Sequence, residues 1–254
     1  MAAIDDRARN GFANAERYDS YRPSYPPEAI AYIRRAAQLT PESTVVDLAA
    51  GTGLMTRLLA PAARLIAIEP IPEMRAVLEA QVPEVEVLNG TAEQMPLPSS
   101  VADAIVTAQA FHWFANARAV AEIARVLKPG GTLAIVWNRR DPDCALLQRV
   151  KAITGAFRGD SPDHETIPWR DVFEAADSPL RLAGHETVPW EERIPLQRLK
   201  GRVSSVSFIA LLDPEARAGV MRQLEELAGS PSDDAPVVLQ YLTEVFLAKR
   251  RPER

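Results

Sequence analysis

The chain is poor in the residues that staple small secreted folds. It has one cysteine, Cys144, in 254 residues. No internal disulfide framework can form, and a reducing compartment is the expected setting. No stretch approaches the roughly 20 apolar residues that a membrane-crossing helix needs. The first residues, MAAIDDRARN, are polar and charged, so no secretory leader is read there and a cytoplasmic location is expected. An excess of positive charge is missing too: 29 Lys and Arg stand against 34 Asp and Glu, a net charge of −5. A domain that grips nucleic acid by its backbone is usually basic, so neither nucleic acid nor a membrane is an expected partner. Histidine is scarce, and no group of His, Cys and carboxylates has metal-ligand spacing, so no metal is expected. Apolar residues are not scarce. They make up 47% of the chain, enough for the core of one large domain.

The pattern along the chain alternates. From Pro26 a helix is predicted, with Ile30, Ile33 and Ala37 on one face and proline at its start. STVVDLA is a short apolar run of strand length. GLMTRLLA reads as helix, RLIAIE as strand, PEMRAVLEAQ as helix with Met74, Val77 and Leu78 inward, and VEVLN and DAIVTA as strands. Asn116 is placed to cap a further helix that carries Val120, Ile123, Ala124 and Leu127 on one face, and KPGG precedes the strand TLAIVW. Strands and helices in this order predict a doubly wound α/β fold, a mostly parallel sheet covered on both faces. Beyond Asn138 the rhythm changes. Residues 139–178 show no good strand, RLAGHETVPW is a candidate strand, QRLKGRVSSVSFIA and PEARAGVMRQLEELAG read as helices, and PVVLQYLTEVFLAKR as a closing strand.

The stretch VVDLAAGTGL, Val45 to Leu54, carries the chemistry. In an open parallel sheet, ligands sit beyond the carboxyl ends of the strands. Small residues in the turn after the first strand let the backbone approach a ligand, and the next helix offers free N–H groups. A dinucleotide site would place a third glycine at position 56, which is Thr56. A carboxylate at Asp47 would repel a pyrophosphate and attract a ligand with an ammonium group. A nucleoside with a cationic amino-acid tail, such as S-adenosylmethionine, fits better than a nicotinamide dinucleotide.

VVDLAAGTGLMTRLL resembles the first signature motif of the class I S-adenosylmethionine-dependent methyltransferases. Asp47, Gly51 and Gly53 match it, and Ala49 stands where the family most often has glycine. Four later segments agree in order: Glu69 ending the second strand, GTAEQMPLP after the third, AQAFHWF after the fourth and ARVLKPGGTLAIVW around the fifth. The segments RPSYP and FHWF look most like the small-molecule methyltransferases related to trans-aconitate methyltransferase. The resemblance implies a seven-stranded sheet with an antiparallel strand near the C-terminus. It implies that Asp47, Ala49, Ala50, Gly51 and Gly53 hold the methionine end of the cofactor and that Glu69 holds the ribose. A carboxylate suits a diol because it offers two acceptor oxygens. Pro70 and Ile71 would flank the adenine, and Ala92 and Glu93 would face its edge. Gln109 to Trp113, with Phe111 among them, would form the floor between cofactor and acceptor. Tyr18, Tyr21, Arg22 and Tyr25 would belong to an N-terminal lid.

His112 is open to two readings, a general base of near-neutral pKa or a structural histidine. Arg139 and Arg140 are candidates for an anionic substrate or for plain solvated charges. Met74 is read as core. The expected organisation is one domain over 1–254, with an N-terminal lid and helix at 1–40, a cofactor-binding core at 41–138, a candidate substrate-covering insertion at 139–195 and C-terminal helices with a closing strand at 196–254. The expected activity is methyl transfer to a small molecule, a carboxylate or hydroxyl acceptor being favoured. Two rivals remain at this level: a protein that binds the cofactor without turning it over, and a nicotinamide-dependent oxidoreductase. The absent third glycine and the absence of a Tyr-x-x-x-Lys pair count against the second.

Overall fold

The apolar runs of the sequence are strands of one sheet. The computed structural model describes residues 20–60, 64–159, 167–229, 232, 234 and 236–252; Tyr18 and His164 lie outside them. In chain order the elements are α1 (Pro27–Ala36), β1 (Thr44–Leu48), α2 (Leu54–Leu59), β2 (Arg64–Ile68), α3 (Pro72–Gln81), β3 (Glu86–Leu88) and β4 (Ala102–Ala108). A 3₁₀ turn (Phe111–Trp113), α4 (Ala117–Val126), β5 (Leu127–Arg140), α5 (Ala145–Gly155) and α6 (Asp171–Glu174) follow. The chain then forms β6 (Leu180–Pro195), α7 (Leu196–Ser204), α8 (Ser207–Ala210), α9 (Pro214–Ala228) and β7 (Pro236–Arg250).

The sheet has seven strands in the order β3-β2-β1-β4-β5-β7-β6. The first five are parallel. β7 is antiparallel to both of its neighbours, so β6 again points the way of β5. β1 is central and buried along its whole length, as a strand covered on both faces must be. Successive residues alternate between the faces. Val46 and Leu48 pack on the side of Val120 and Ile123 of α4. Val45 packs on the opposite side with Ile30 and Ile33 of α1. A separate cluster joins Leu147 and Val150 of α5 to Leu199 of α7, Leu224 of α9 and Tyr241 of β7.

Local chemistry sets the helix ends. Pro27 opens α1 with Glu28 in its first turn and two arginines in its last, matching the helix dipole. Asn116 caps α4: its side-chain oxygen accepts from the Ala119 N–H at 2.9 Å. The fifth strand is longer than TLAIVW. It begins at Leu127, directly after α4, and its register with β4 slips between Ala102 and Ala104. The KPGG residues take up the slack in that bulge. Of the segment 139–195, α5 follows the sheet and residues 180–195 are the edge strand itself. No helix among the described residues is long and apolar enough to cross a membrane.

Candidate functional site

β1 ends by carrying one carboxylate into the core. Asp47 is 1% exposed, and the Thr56 hydroxyl on α2 donates to its Oδ2 at 2.6 Å. Its other oxygen, Oδ1, is buried with no hydrogen-bond partner among the described residues. A buried acceptor left in this state costs free energy, and it is open to a hydrogen bond from a ligand's donor. Burial pushes the Asp47 carboxyl up to about 7; the Thr56 hydrogen bond opposes this and the nearby charge of Glu69 adds to it.

The turn after β1 bends away through left-handed backbone at Ala49, Gly51 and Gly53, with φ of 57°, 58° and 89°. Ala49 holds a conformation that costs a residue with a Cβ roughly 1–2 kcal/mol. Gly53 has a second reason to be glycine. A Cβ there would lie 2.5 Å from Leu78 Cδ1 of α3. Its absent side chain makes room for helix packing.

Glu69 closes the turn from the next strand. Its Oε2 accepts from the Gly51 N–H at 2.8 Å and its Oε1 from the Ile71 N–H at 2.9 Å. Each oxygen keeps a further lone pair. Burial pushes Glu69 up to about 7, against the pull of these two N–H groups and the charge of Arg75. Arg75 donates to the Glu69 carbonyl at 2.8 Å.

A cleft of about 1130 Å³, including its open mouth, lies over these groups. Asp47, Ala49, Ala50, Gly51, Glu69, Pro70 and Ile71 line it. Ala92, Glu93, Trp113 and Met74 line it as well. Glu93 also accepts from Asn116 Nδ2 at 3.0 Å, tying the loop to the cap of α4. The acceptor set fits a ligand with an ammonium group, a diol and a flat apolar ring: a buried carboxylate with one oxygen unpartnered among the described residues, a second carboxylate whose two oxygens each keep a further lone pair, and apolar lining residues.

A second cleft, of about 1260 Å³ with its mouth, adjoins the first. The two share Tyr25, Leu54 and Gln109. Six cationic side chains line the second: Arg22, Arg139, Arg140, Lys151, Arg158 and Arg202. No Asp or Glu is among its described lining residues. Glu244 pairs with Arg139 at 3.2 Å and Glu192 with Arg202 at 2.8 Å. His112 lines this cleft and not the first.

The methyltransferase domain model matches residues 46–135, from the middle of β1 into β5. An uncharacterized methyltransferase of Mycobacterium tuberculosis is 45% identical over 152 residues, which are 59% of this chain and 61% of that protein. A methyltransferase-like protein of Schizosaccharomyces pombe is 32% identical over 243 residues, 93% of this chain and 94% of its own length. The chain belongs to the methyltransferase family. A solved structure assigned as a type II methyltransferase from Anaeromyxobacter dehalogenans shares the fold, with a TM-score of 0.68 over 92% of this chain and all of that one, at 22% identity.

Several expected site residues of this methyltransferase sit elsewhere. Phe111 was expected beside the substrate. It is 0% exposed and packs against Phe114, Trp169 and Phe173. Gly53 faces Leu78, as above. Tyr21 lines neither cleft and lies against Gly201 of α7. Met74, read as core, is buried yet also lines the first cleft. Gln109 lines both clefts from a left-handed backbone at φ 59°. Sequence reasoning missed Thr56, noticed only as an absent glycine. It also missed Lys151, Arg158 and Arg202, which no motif marks.

Proposed function

We propose that the chain catalyses S-adenosylmethionine-dependent methyl transfer to a small anionic acceptor held in the second cleft. One observation carries the cofactor reading: the buried Oδ1 of Asp47, with no hydrogen-bond partner among the described residues, in a cleft that the Glu69 carboxylate also lines. Asp47 would accept from the ammonium of the cofactor's amino-acid end, Glu69 from the ribose hydroxyls, and the Ala92–Glu93 loop would meet the adenine. When bound, that cofactor supplies a methyl on a sulfonium, which an acceptor lone pair takes as the carbon–sulfur electrons return to sulfur, leaving the thioether.

The protein's part is then alignment and exclusion of water. Tyr25, Leu54 and Gln109 lie where the clefts meet and would set the line of approach. The cationic wall supports a carboxylate-bearing acceptor. Against a chain of net charge −5, a cleft lined by one sign of charge concentrates ligands of the other. A carboxylate acceptor has no proton to lose, so His112 would bind or shape the pocket. A hydroxyl acceptor would give it the role of base. The segments RPSYP and FHWF support placing the chain near the small-molecule methyltransferases related to trans-aconitate methyltransferase. The second cleft also favours an enzyme over a mute binder, because a protein that only held the cofactor needs no adjoining space.

Calorimetric titration with S-adenosylhomocysteine, with NADH run in parallel, tests the cofactor. Micromolar binding of the first and none of the second is expected. NADH binding in its place overturns the reading of Asp47. Tricarballylate and its neutral triamide, each titrated into protein loaded with S-adenosylhomocysteine, test the acceptor class, and equal binding of the two would remove the anionic assignment.

A further inference from the structure

Arg202 is a charged residue that the fold pays heavily to bury. It is 7% exposed and donates to three elements at once. Nη1 and Nη2 reach the two carboxylate oxygens of Glu192 on β6 at 2.8 and 3.1 Å. Nη1 also reaches the Tyr241 hydroxyl on β7 at 2.8 Å. Nε donates to the Tyr21 carbonyl at 2.6 Å. A buried ion pair is seldom the cheapest way to hold elements together, since apolar side chains of similar volume often do it as well. What an apolar side chain cannot do is donate to the Tyr21 carbonyl.

The residue beside it is independently unusual. Gly201 lies inside α7, where glycine is a poor helix former beside alanine. A Cβ at Gly201 would sit on the ring of Tyr21. The helix therefore accepts a poor helix former so that this ring can lie flat against its backbone. Two consecutive residues of α7 thus grip one residue of the N-terminal segment, by a hydrogen bond and by a close contact. The segment is held again three residues on. Trp190 donates to Thr243 at 2.8 Å, Thr243 to Asn138 at 2.6 Å, and Asn138 Nδ2 to the Ser24 carbonyl at 2.8 Å. Between and beside these anchors lie Arg22, which lines the second cleft, and Tyr25, which lines both.

We infer that Arg202, seated by Gly201, is a positioning residue that fixes the segment Ser20–Tyr25 as the common wall of the two clefts. It acts through Tyr21 and not on the reacting atoms. This rests on the methyl-transfer reading only for its ligand assay, because the grip itself can be read without a ligand.

The test uses the full chain with Arg202→Met and, separately, Gly201→Ala. The first removes the donor and keeps the bulk. The second adds a Cβ under the Tyr21 ring and favours the α7 helix by itself, so it cannot act by weakening α7. Hydrogen exchange is measured on the amides of Ser20 to Tyr25 and on those of β4 as an internal reference. Both variants are expected to speed exchange in Ser20–Tyr25 and to leave β4 unchanged, Arg202→Met by on the order of tenfold, as loss of one charge-assisted hydrogen bond implies. Affinity for S-adenosylhomocysteine should fall in the same variants while the unfolding midpoint of Gly201→Ala stays near that of the parent. Unchanged exchange in Ser20–Tyr25 in both variants would overturn the inference. So would faster exchange with full cofactor-product affinity, because the grip would then be structural only. Failure of the parent itself to bind S-adenosylhomocysteine would strike the methyl-transfer reading and leave the exchange result standing.

Discussion

The carboxylate of Glu69 and the backbone N–H of Gly51 are joined by a 2.8 Å hydrogen bond, so the acid that ends β2 also closes the turn that ends β1. Glu69 therefore has a structural duty before any ligand arrives. Glu69→Ala is expected to leave the Gly51 and Ile71 N–H groups without their acceptor, at about 1–3 kcal/mol for a buried donor. Glu69→Gln should also destabilise, because one of those N–H groups would then face an NH₂. Urea unfolding of the ligand-free protein measures this. If both variants unfold at the parent's midpoint, the bond has no weight in the fold.

Asp47 should behave in the opposite way. Its Oδ1 has no partner to lose among the described residues, and its burial disfavours the charged form. Asp47→Asn is expected to leave the ligand-free protein as stable as the parent or more so, and to weaken binding of S-adenosylhomocysteine by about 1–3 kcal/mol, the usual worth of a hydrogen bond to a charged group. Unfolding and calorimetry on one preparation separate the two effects. A variant that unfolds early but binds normally would make Asp47 structural.

The two carboxylates also set a pH dependence whose sign differs with and without ligand. Burial raises both folded pKa values to about 7 from ordinary values of 3.8 and 4.5. Between those limits the unfolded chain binds fewer protons than the folded one, so stability falls as pH rises. The contribution is complete below the ordinary values and is lost by the time pH passes the folded ones. A ligand that brings an ammonium to Asp47 and hydroxyls to Glu69 favours the ionised forms. Binding at neutral pH should therefore release protons and tighten as pH rises through 7. Titration of S-adenosylhomocysteine in two buffers of different ionisation enthalpy counts those protons. No release, or uptake, would mean that the ligand does not engage these groups.

Much of this was legible in the sequence, for a physical reason. Alternating strands and helices of standard length leave few ways to cover a parallel sheet, so VVDLAAGTGL had to lie at the carboxyl edge. What was not legible depends on register and on side-chain direction. The bond from Glu69 to Gly51 spans 18 residues and exists only because β1 and β2 pair as they do. Thr56 looked like a missing glycine until α2 turned its hydroxyl toward Asp47. Of the mostly exposed edge strand β6, the run RLAGHETVPW carries a strand signal, whereas the charged residues that follow it, Glu191 to Arg193, do not. The cations of the second cleft come from β5, α5, the turn after α5, α7 and the N-terminal segment, and no local pattern gathers them.

The tripeptide Phe111-His112-Trp113 gives the sharpest contrast between adjacency in sequence and direction in space. One 3₁₀ turn sends the first ring into the core, the second to the second cleft and the third to the first. Phe111→Ala should cost about 3–5 kcal/mol of stability, as for other buried aromatic truncations, and Trp113→Ala should weaken cofactor-product binding with a smaller loss of stability. His112→Ala should change neither by much. Its effect on turnover then decides its role. With a carboxylate acceptor the nucleophilic oxygen is already deprotonated, so loss of the imidazole removes only contacts in the cleft, and kcat should fall by less than about tenfold. General-base catalysis contributes about 10²- to 10⁴-fold, so a loss on that scale would identify His112 as the base and an acceptor that must give up a proton.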